Sequence, residues 1–263
     1  MKAPPVLRLS FFTLVLHLTP ACFAMPAVHM VVTDAQDNRP IAGANVLFTA
    51  RAREGTLSGH GGRVATLFLA EAVSDHNGNI SFGEQKAALP PFLFNTNYDP
   101  PWLLVFKPGY AIQVIRNELR APNDPRLVTA WDHEGEVIRM QRVTTEKERG
   151  DAIYWAQSDV SDIYWAAKTC SWKSIPLILV ALEKEASEEA KRHGSGRPGP
   201  VTQLIRDRTV QDEGGCGSPL AFFQRYFGAA WTAAPREPAA MPIVISSPPA
   251  MAMRPAVAAS EGR

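Results

Sequence analysis

Cysteine is scarce in this 263-residue chain, with three in all, which excludes a small scaffold stapled by several disulfides. Neither sign of charge dominates. Lys and Arg number 27 against 26 Asp and Glu, a formal net of +1, so nothing in the balance points to a nucleic-acid partner. Long hydrophobic runs are missing as well, which excludes a polytopic membrane protein. No Gly-x-Ser-x-Gly elbow occurs, and Gly214-Gly-Cys-Gly217 lacks the Lys-Ser/Thr ending of a phosphate loop.

What is present begins with an export signal. Lys2 and Arg8 precede the apolar stretch Leu9 to Leu18, and small residues follow Pro20. That order is the one a secretory signal peptide shows, over residues 1–24 with removal after Ala24. Cys22 offers an alternative, acylation as an outer-membrane lipoprotein, but Thr19 stands where a lipobox wants Leu. A membrane partner is expected only if Cys22 is lipidated. Cleavage removes two cations, Lys2 and Arg8, and turns the net charge from +1 to −1. It leaves Cys170 and Cys216 in an oxidising compartment, where a disulfide between them is expected.

Short β-branched and aromatic runs with turn signals fill residues 25–144. They are Val28 to Thr33, Ala44 to Thr49, Asn79 to Phe82, Trp102 to Phe106, Tyr110 to Ile115, and a last pair at Leu127 to Trp131 and Glu136 to Met140. This pattern predicts an all-β sandwich. Arg51 to Arg63 and Ala88 to Pro101 read as two long loops. Residues 145–228 are richer in helix formers. Helices are expected from Lys147 to Lys168, from Pro176 to the Lys191-Arg-His-Gly segment, from Pro200 to Arg208 and over Pro219 to Phe227, giving an α+β class overall. Residues 229–263 hold 11 Ala and 6 Pro and read as a disordered tail, with Ile243-Val-Ile245 as one piece able to dock as an edge strand.

Three stretches carry a family resemblance: Val32-Thr-Asp-Ala-Gln-Asp-Asn-Arg-Pro-Ile-Ala-Gly-Ala-Asn-Val46, Ala72-Val-Ser-Asp-His-Asn-Gly-Asn-Ile-Ser-Phe82, and Phe106-Lys-Pro-Gly-Tyr110. In this order they resemble the carboxypeptidase regulatory-like domain, a transthyretin-like seven-stranded sandwich, over roughly residues 27–118. The segment between Phe48 and Ala72 departs from it as an insertion, and the helices resemble no family we can name. The resemblance implies an accessory module, used for folding support or for binding proteins and glycans, that brings no catalytic residues with it.

Other chemistries are weaker. His133-Glu-Gly-Glu136 fits the H-x-x-E of zinc carboxypeptidases, but His193 is the only later His and too little chain remains for that fold. Asp34, Asp37, Asp75, Asn77 and Asn79 offer oxygens near turns without a calcium loop's spacing, so turn capping is expected of them. No metal or cofactor is expected.

Aromatic side chains remain as the recognition candidates. Tyr154, Trp165 and Trp172 share one face of a continuous helix, either as core against the sandwich or as an exposed platform. Tyr98 and Trp102, beside Pro100-Pro101, are placed at a loop where a sandwich presents residues outward. The sequence therefore reads as an exported, non-catalytic periplasmic or secreted protein that binds an envelope protein or a glycan. The alternatives are a hydrolase with its site between sandwich and helices, or a lipid-anchored envelope component.

Overall fold

The computed structural model describes residues 22–54, 64–88, 96–118, 128–164, 170–193, 197–207, 215–228 and 231. The expected tail apart from Trp231, together with Trp165 and most of the export signal, lies outside these residues. Among the described residues the strands are β1 (Cys22–Met25), β2 (Val28–Asp34), β3 (Asn45–Glu54), β4 (Val64–Val73), β5 (Asn79–Phe82), β6 (Gln85–Ala88), β7 (Thr96–Tyr98), β8 (Trp102–Phe106), β9 (Gln113–Arg116) and β10 (Val137–Met140). The helices are α1 (Glu146–Tyr164), α2 (Pro176–His193), α3 (Pro200–Arg206) and α4 (Pro219–Phe227), with a 3-10 turn at Ser171–Ser174.

The protein is α+β, with two principal sheets facing each other. One runs β10-β2-β5, β10 parallel to β2. The other runs β4-β3-β8-β9, with β7 also paired to β3. A small third sheet pairs β1 with β6. The expected cleavage point after Ala24 falls inside β1, whose Met25 is buried in the sandwich core.

Alternation along β8 explains how the helices attach. Leu103 and Val105 join the core between the sheets, while Trp102, Leu104 and Phe106 join a second core with the helices. Successive strand residues point to opposite faces, so β8 is buried on both. Leu47 of β3 also faces the helical layer, whereas Val46 and Phe48 face the other sheet. The result is three layers, sheet on sheet on helices, sharing the larger sheet as the middle.

Four expectations need correction. Arg51 to Glu54, read as the start of a long loop, are strand: β3 runs on to Glu54 and forms a long hairpin with β4, paired from Asn45↔Val73 to Arg53↔Val64. The second long loop carries a strand, β7, and its first residue, Ala88, closes β6. Val128 to Trp131 forms no strand, because its backbone is held by a side chain: Asn117 Nδ2 donates to the Ala130 carbonyl at 2.6 Å and Asp132 N–H donates to Asn117 Oδ1 at 3.0 Å. β10 therefore pairs with β2, not with this segment. Finally, Trp172 belongs to a separate 3-10 turn entered through Cys170 at φ 51°, so it does not share one continuous helix with Tyr154 of α1.

The motifs behind the family resemblance act as joints of the sandwich. Asp75 Oδ1 accepts the N–H groups of Asn77 and Asn79, both at 2.8 Å. In the same turn Gly78 has φ 76°, and a Cβ there would lie 2.4 Å from the Val32 carbonyl oxygen. Tyr110 Oη donates to Asp34 at 2.9 Å, and Arg142 Nε donates to the same carboxylate. Burial alone would raise the Asp34 pKa, but hydrogen bonds from Gln36 N–H, Tyr110 and Arg142 outweigh it and hold the carboxyl below its ordinary range.

Two glutamates fasten the helical layer. Glu71 of β4 accepts the first-turn N–H groups of α2, from Leu177 at 3.0 Å and Ile178 at 3.1 Å, which otherwise have no intrahelical partner. Glu183 of α2, 3% exposed, accepts Thr202 N–H at 3.0 Å and Thr202 Oγ1–H at 2.5 Å, at the start of α3. Gly199 sits against it so closely that a Cβ would lie 2.7 Å from Glu183 Cα.

Burial raises the Glu71 pKa despite the Leu177 and Ile178 hydrogen bonds. A carboxyl whose folded pKa exceeds its unfolded one favours the fold most when protonated. Its contribution is present below the unfolded pKa and is lost as pH rises through the folded pKa. Glu71→Gln keeps an acceptor and removes the charge, so it should stay within about 1 kcal/mol at neutral pH, while Glu71→Ala should lose about 1–2 kcal/mol. Urea unfolding across pH checks both. Wild type should lose ground to Glu71→Gln as pH rises above the carboxylate range, and a pH-independent difference would refute the assignment.

Candidate functional site

The aromatic residues singled out from sequence separate sharply. Trp102 is 3% exposed and Trp172 is fully buried, both in the core between the larger sheet and the helices. Tyr98 is 7% exposed and points into the core between the sheets, from a strand paired to β3. These three are structural, which corrects their assignment to a binding surface. Trp165 lies outside the described residues. Tyr154 alone is exposed, at 39%.

The expected disulfide joins Cys170 to Cys216 with Cα atoms 5.5 Å apart. His133 closes its own turn: Nδ1 lies 3.0 Å from Glu136 Oε2 and Nε2 lies 3.1 Å from the Arg116 carbonyl. Among the described residues no cluster of three His, Cys, Asp or Glu side chains is placed to hold a metal ion. Asp34 and Asp37 accept N–H groups two residues on, as Asp75 does.

Helix α1 builds the remaining surface. Ala152, Ile153, Ala156, Val160 and Ile163 are buried at helical spacing. That leaves Tyr154 and Trp155 at the edge of the apolar face, exposed at 39% and 55% with their rings edge to face, centroids 4.9 Å apart. The helix starts from a capping box: Glu148 N–H donates to Thr145 Oγ1 at 3.2 Å and Thr145 N–H donates back to Glu148 Oε2 at 3.1 Å.

A cleft opens on each side of this aromatic pair. The first, about 270 Å³, lies between α1 and α2 and is lined by Gly150, Ile153, Tyr154, Gln157, Ala186, Glu189, His193 and Arg197. Their spacing along α1 and α2 sets one helix face against another. The Arg197 guanidinium stands 4.5 Å from the Tyr154 ring centroid, within cation–π range. The second cleft, about 300 Å³, lies between the end of the sandwich and α1, where Ile112, Gln141, Arg142 and Val143 meet Glu148, Asp151 and Trp155.

Glu148 and Asp151 are the carboxylates of that second cleft. The N–H groups of Thr144 and Thr145 hold Glu148 below its ordinary range, and Asp151 Oδ2 accepts from Lys147 at 2.8 Å. Both are engaged in starting α1. Glu148, held low by these hydrogen bonds, lacks the raised pKa that a general acid needs.

Trp155, Gln157 and Arg197 were not anticipated. A 3.6-residue projection of Ala152 to Ile163 contains the signal for Trp155. Nothing in the sequence announces Arg197, which meets Tyr154 of α1 from the stretch between α2 and α3.

No protein-family model matches the sequence, and no curated protein matches it. Among solved structures, an intradiol ring-cleavage dioxygenase from Tetranychus urticae is similar at 11% identity and a TM-score of 0.27, over 48% of this chain and 84% of that one. Shaft pilin spaA from Lactobacillus rhamnosus GG is similar at 13% identity and a TM-score of 0.23, over 48% of this chain and 47% of that one. Likenesses this distant carry no inference about activity.

Proposed function

We propose that this is an exported, non-catalytic module of the carboxypeptidase regulatory-like type, working in the periplasm or outside the cell, that binds an envelope protein or glycan through the exposed edge of α1. The observation that carries the reading is the Tyr154 and Trp155 pair, two large aromatic side chains left in solvent between two clefts. Exposed aromatics at a concave surface offer apolar area and a stacking face at small entropic cost. Export is supported by the disulfide, a bond that persists in oxidising compartments. No helix among the described residues is long and apolar enough to cross a membrane.

The hydrolase alternative places its site in the second cleft. The capping role of Glu148, which holds its carboxyl below the ordinary range, and the ion pair of Asp151 with Lys147 favour the binding reading over it, since both carboxylates are engaged with the helix.

Retention of the purified oxidised protein on envelope material, before and after protease treatment of that material, tests the proposal. Tyr154→Ala combined with Trp155→Ala should cut retention at least tenfold with an unchanged circular dichroism spectrum. Retention that survives protease identifies a glycan, and retention that protease abolishes identifies a protein. Equal retention of the double variant and wild type would overturn the reading.

A further inference from the structure

We infer that the cleft between α1 and α2 takes a sugar acid, with the carboxylate on Arg197 and the ring against Ile153, Tyr154 and Ala186. The inference rests on the reading of α1 as a recognition surface and narrows its glycan arm. Three observations on the cleft converge.

Charge pairing comes first. Arg192 Nη2 reaches Glu189 at 2.8 Å and Glu185 at 3.6 Å, and Arg149 reaches Glu185 at 3.9 Å. His193 Nε2 lies 3.2 Å from Glu189 and 3.5 Å from Glu146. Arg197 differs from these: among the described residues its contact is the face of Tyr154, and no carboxylate answers its charge. A guanidinium stacked on a ring keeps its in-plane donors free, in the fork that matches a planar carboxylate.

Gln157 supplies the second observation. Its side chain lines the cleft, is 5% exposed, and its amide nitrogen has no acceptor among the described residues. A buried donor left unsatisfied costs free energy, and an oxygen-bearing guest seated beside it provides the missing partner.

Shape and chemistry of the walls come third. About 270 Å³ suits one sugar ring, not a chain. Ile153 and Ala186 present an apolar wall to the C–H face of such a ring, while Glu189 and His193 stand at the same cleft with acceptor and donor capacity for hydroxyl groups.

Titration calorimetry of the full oxidised chain tests this with galacturonate, with galactose, which lacks the carboxylate, and with tetragalacturonate. Galacturonate should bind at least tenfold more tightly than galactose. Arg197→Gln should weaken galacturonate at least tenfold, and Gln157→Leu, which leaves Arg197 in place, should weaken it severalfold. A thermal melt of each variant confirms folding. Tighter binding of tetragalacturonate than of the monomer would assign the carboxylate to a polysaccharide residue, and equal binding would assign it to the free acid; either supports the site. Equal affinity for galactose and galacturonate, wild-type affinity in Arg197→Gln, or no binding of either acid would overturn it. Envelope retention that depends on Tyr154 and Trp155 while both acids fail would sink this inference alone and leave the broader reading standing.

Discussion

Trp102→Ala should destabilise the protein by about 3–5 kcal/mol, the range for removing a large aromatic from a packed core, while Trp155→Ala should stay within about 0.5–1 kcal/mol. The two tryptophans are opposites in burial, 3% against 55% exposed. Trp102 packs with Leu104, Phe106 and the helical core, so truncation opens a cavity in the layer that joins sheet to helices. Its indole N–H finds no acceptor among the described residues. Trp102→Phe discards that unsatisfied donor while keeping most of the volume, and should lose no more than about 1.5 kcal/mol. Urea unfolding followed by circular dichroism checks the series. A Trp102→Ala variant as stable as wild type would mean that the helical layer contributes little to the cooperative unit.

The assignment of Trp102 to a loop surface failed for a reason visible in its neighbours. Trp102-Leu-Leu-Val-Phe106 is a continuous apolar run, and a strand with no polar alternation has both faces covered. Reading the run as half of a two-layer sandwich left one apolar face without a partner, and the helices supply it. The long hairpin was harder to see. Ala50-Arg-Ala-Arg-Glu54 and Leu67-Phe-Leu-Ala-Glu-Ala72 are rich in residues that favour helix or are neutral, so strand character there comes from pairing between β3 and β4 and not from local preference. Helix ends were plainer, because Pro176, Pro200 and Pro219 each mark a first turn.

The candidate site was legible only in part. Tyr154 stood out as an aromatic on a helix, and the period of its apolar neighbours would have exposed Trp155 as well. Arg197 and Gln157 were beyond reach, because their significance lies in what they lack among the described residues: one a counter-charge, the other an acceptor. Absences of that kind exist only once α1 and α2 are set against each other. Glu71 and Glu183 are similar. In the sequence they are two acidic residues among many, and their capping of α2 and α3 follows from contacts across 106 and 19 positions.

Replacing both cysteines, Cys170→Ser with Cys216→Ser, should cost about 4 kcal/mol, the chain-entropy value for releasing a loop of 46 residues. For a domain of this size that corresponds to a melting temperature lower by roughly 10 °C. The loss should have a place as well as a size. Cys216 leads into α4, whose Phe222 and Phe223 pack on Trp172 with ring centroids 5.0 and 5.8 Å away. Cys170 precedes the 3-10 turn that holds Trp172. The bridge therefore pins α4 to Trp172, and its removal should weaken the near-ultraviolet circular dichroism of that cluster at temperatures where the sandwich is still folded. Reductant added to wild type should reproduce the effect and leave the double variant unchanged. A cost below about 1 kcal/mol, or a signal lost from sandwich and helices together, would show that α4 is held by its aromatic packing without help from the bridge.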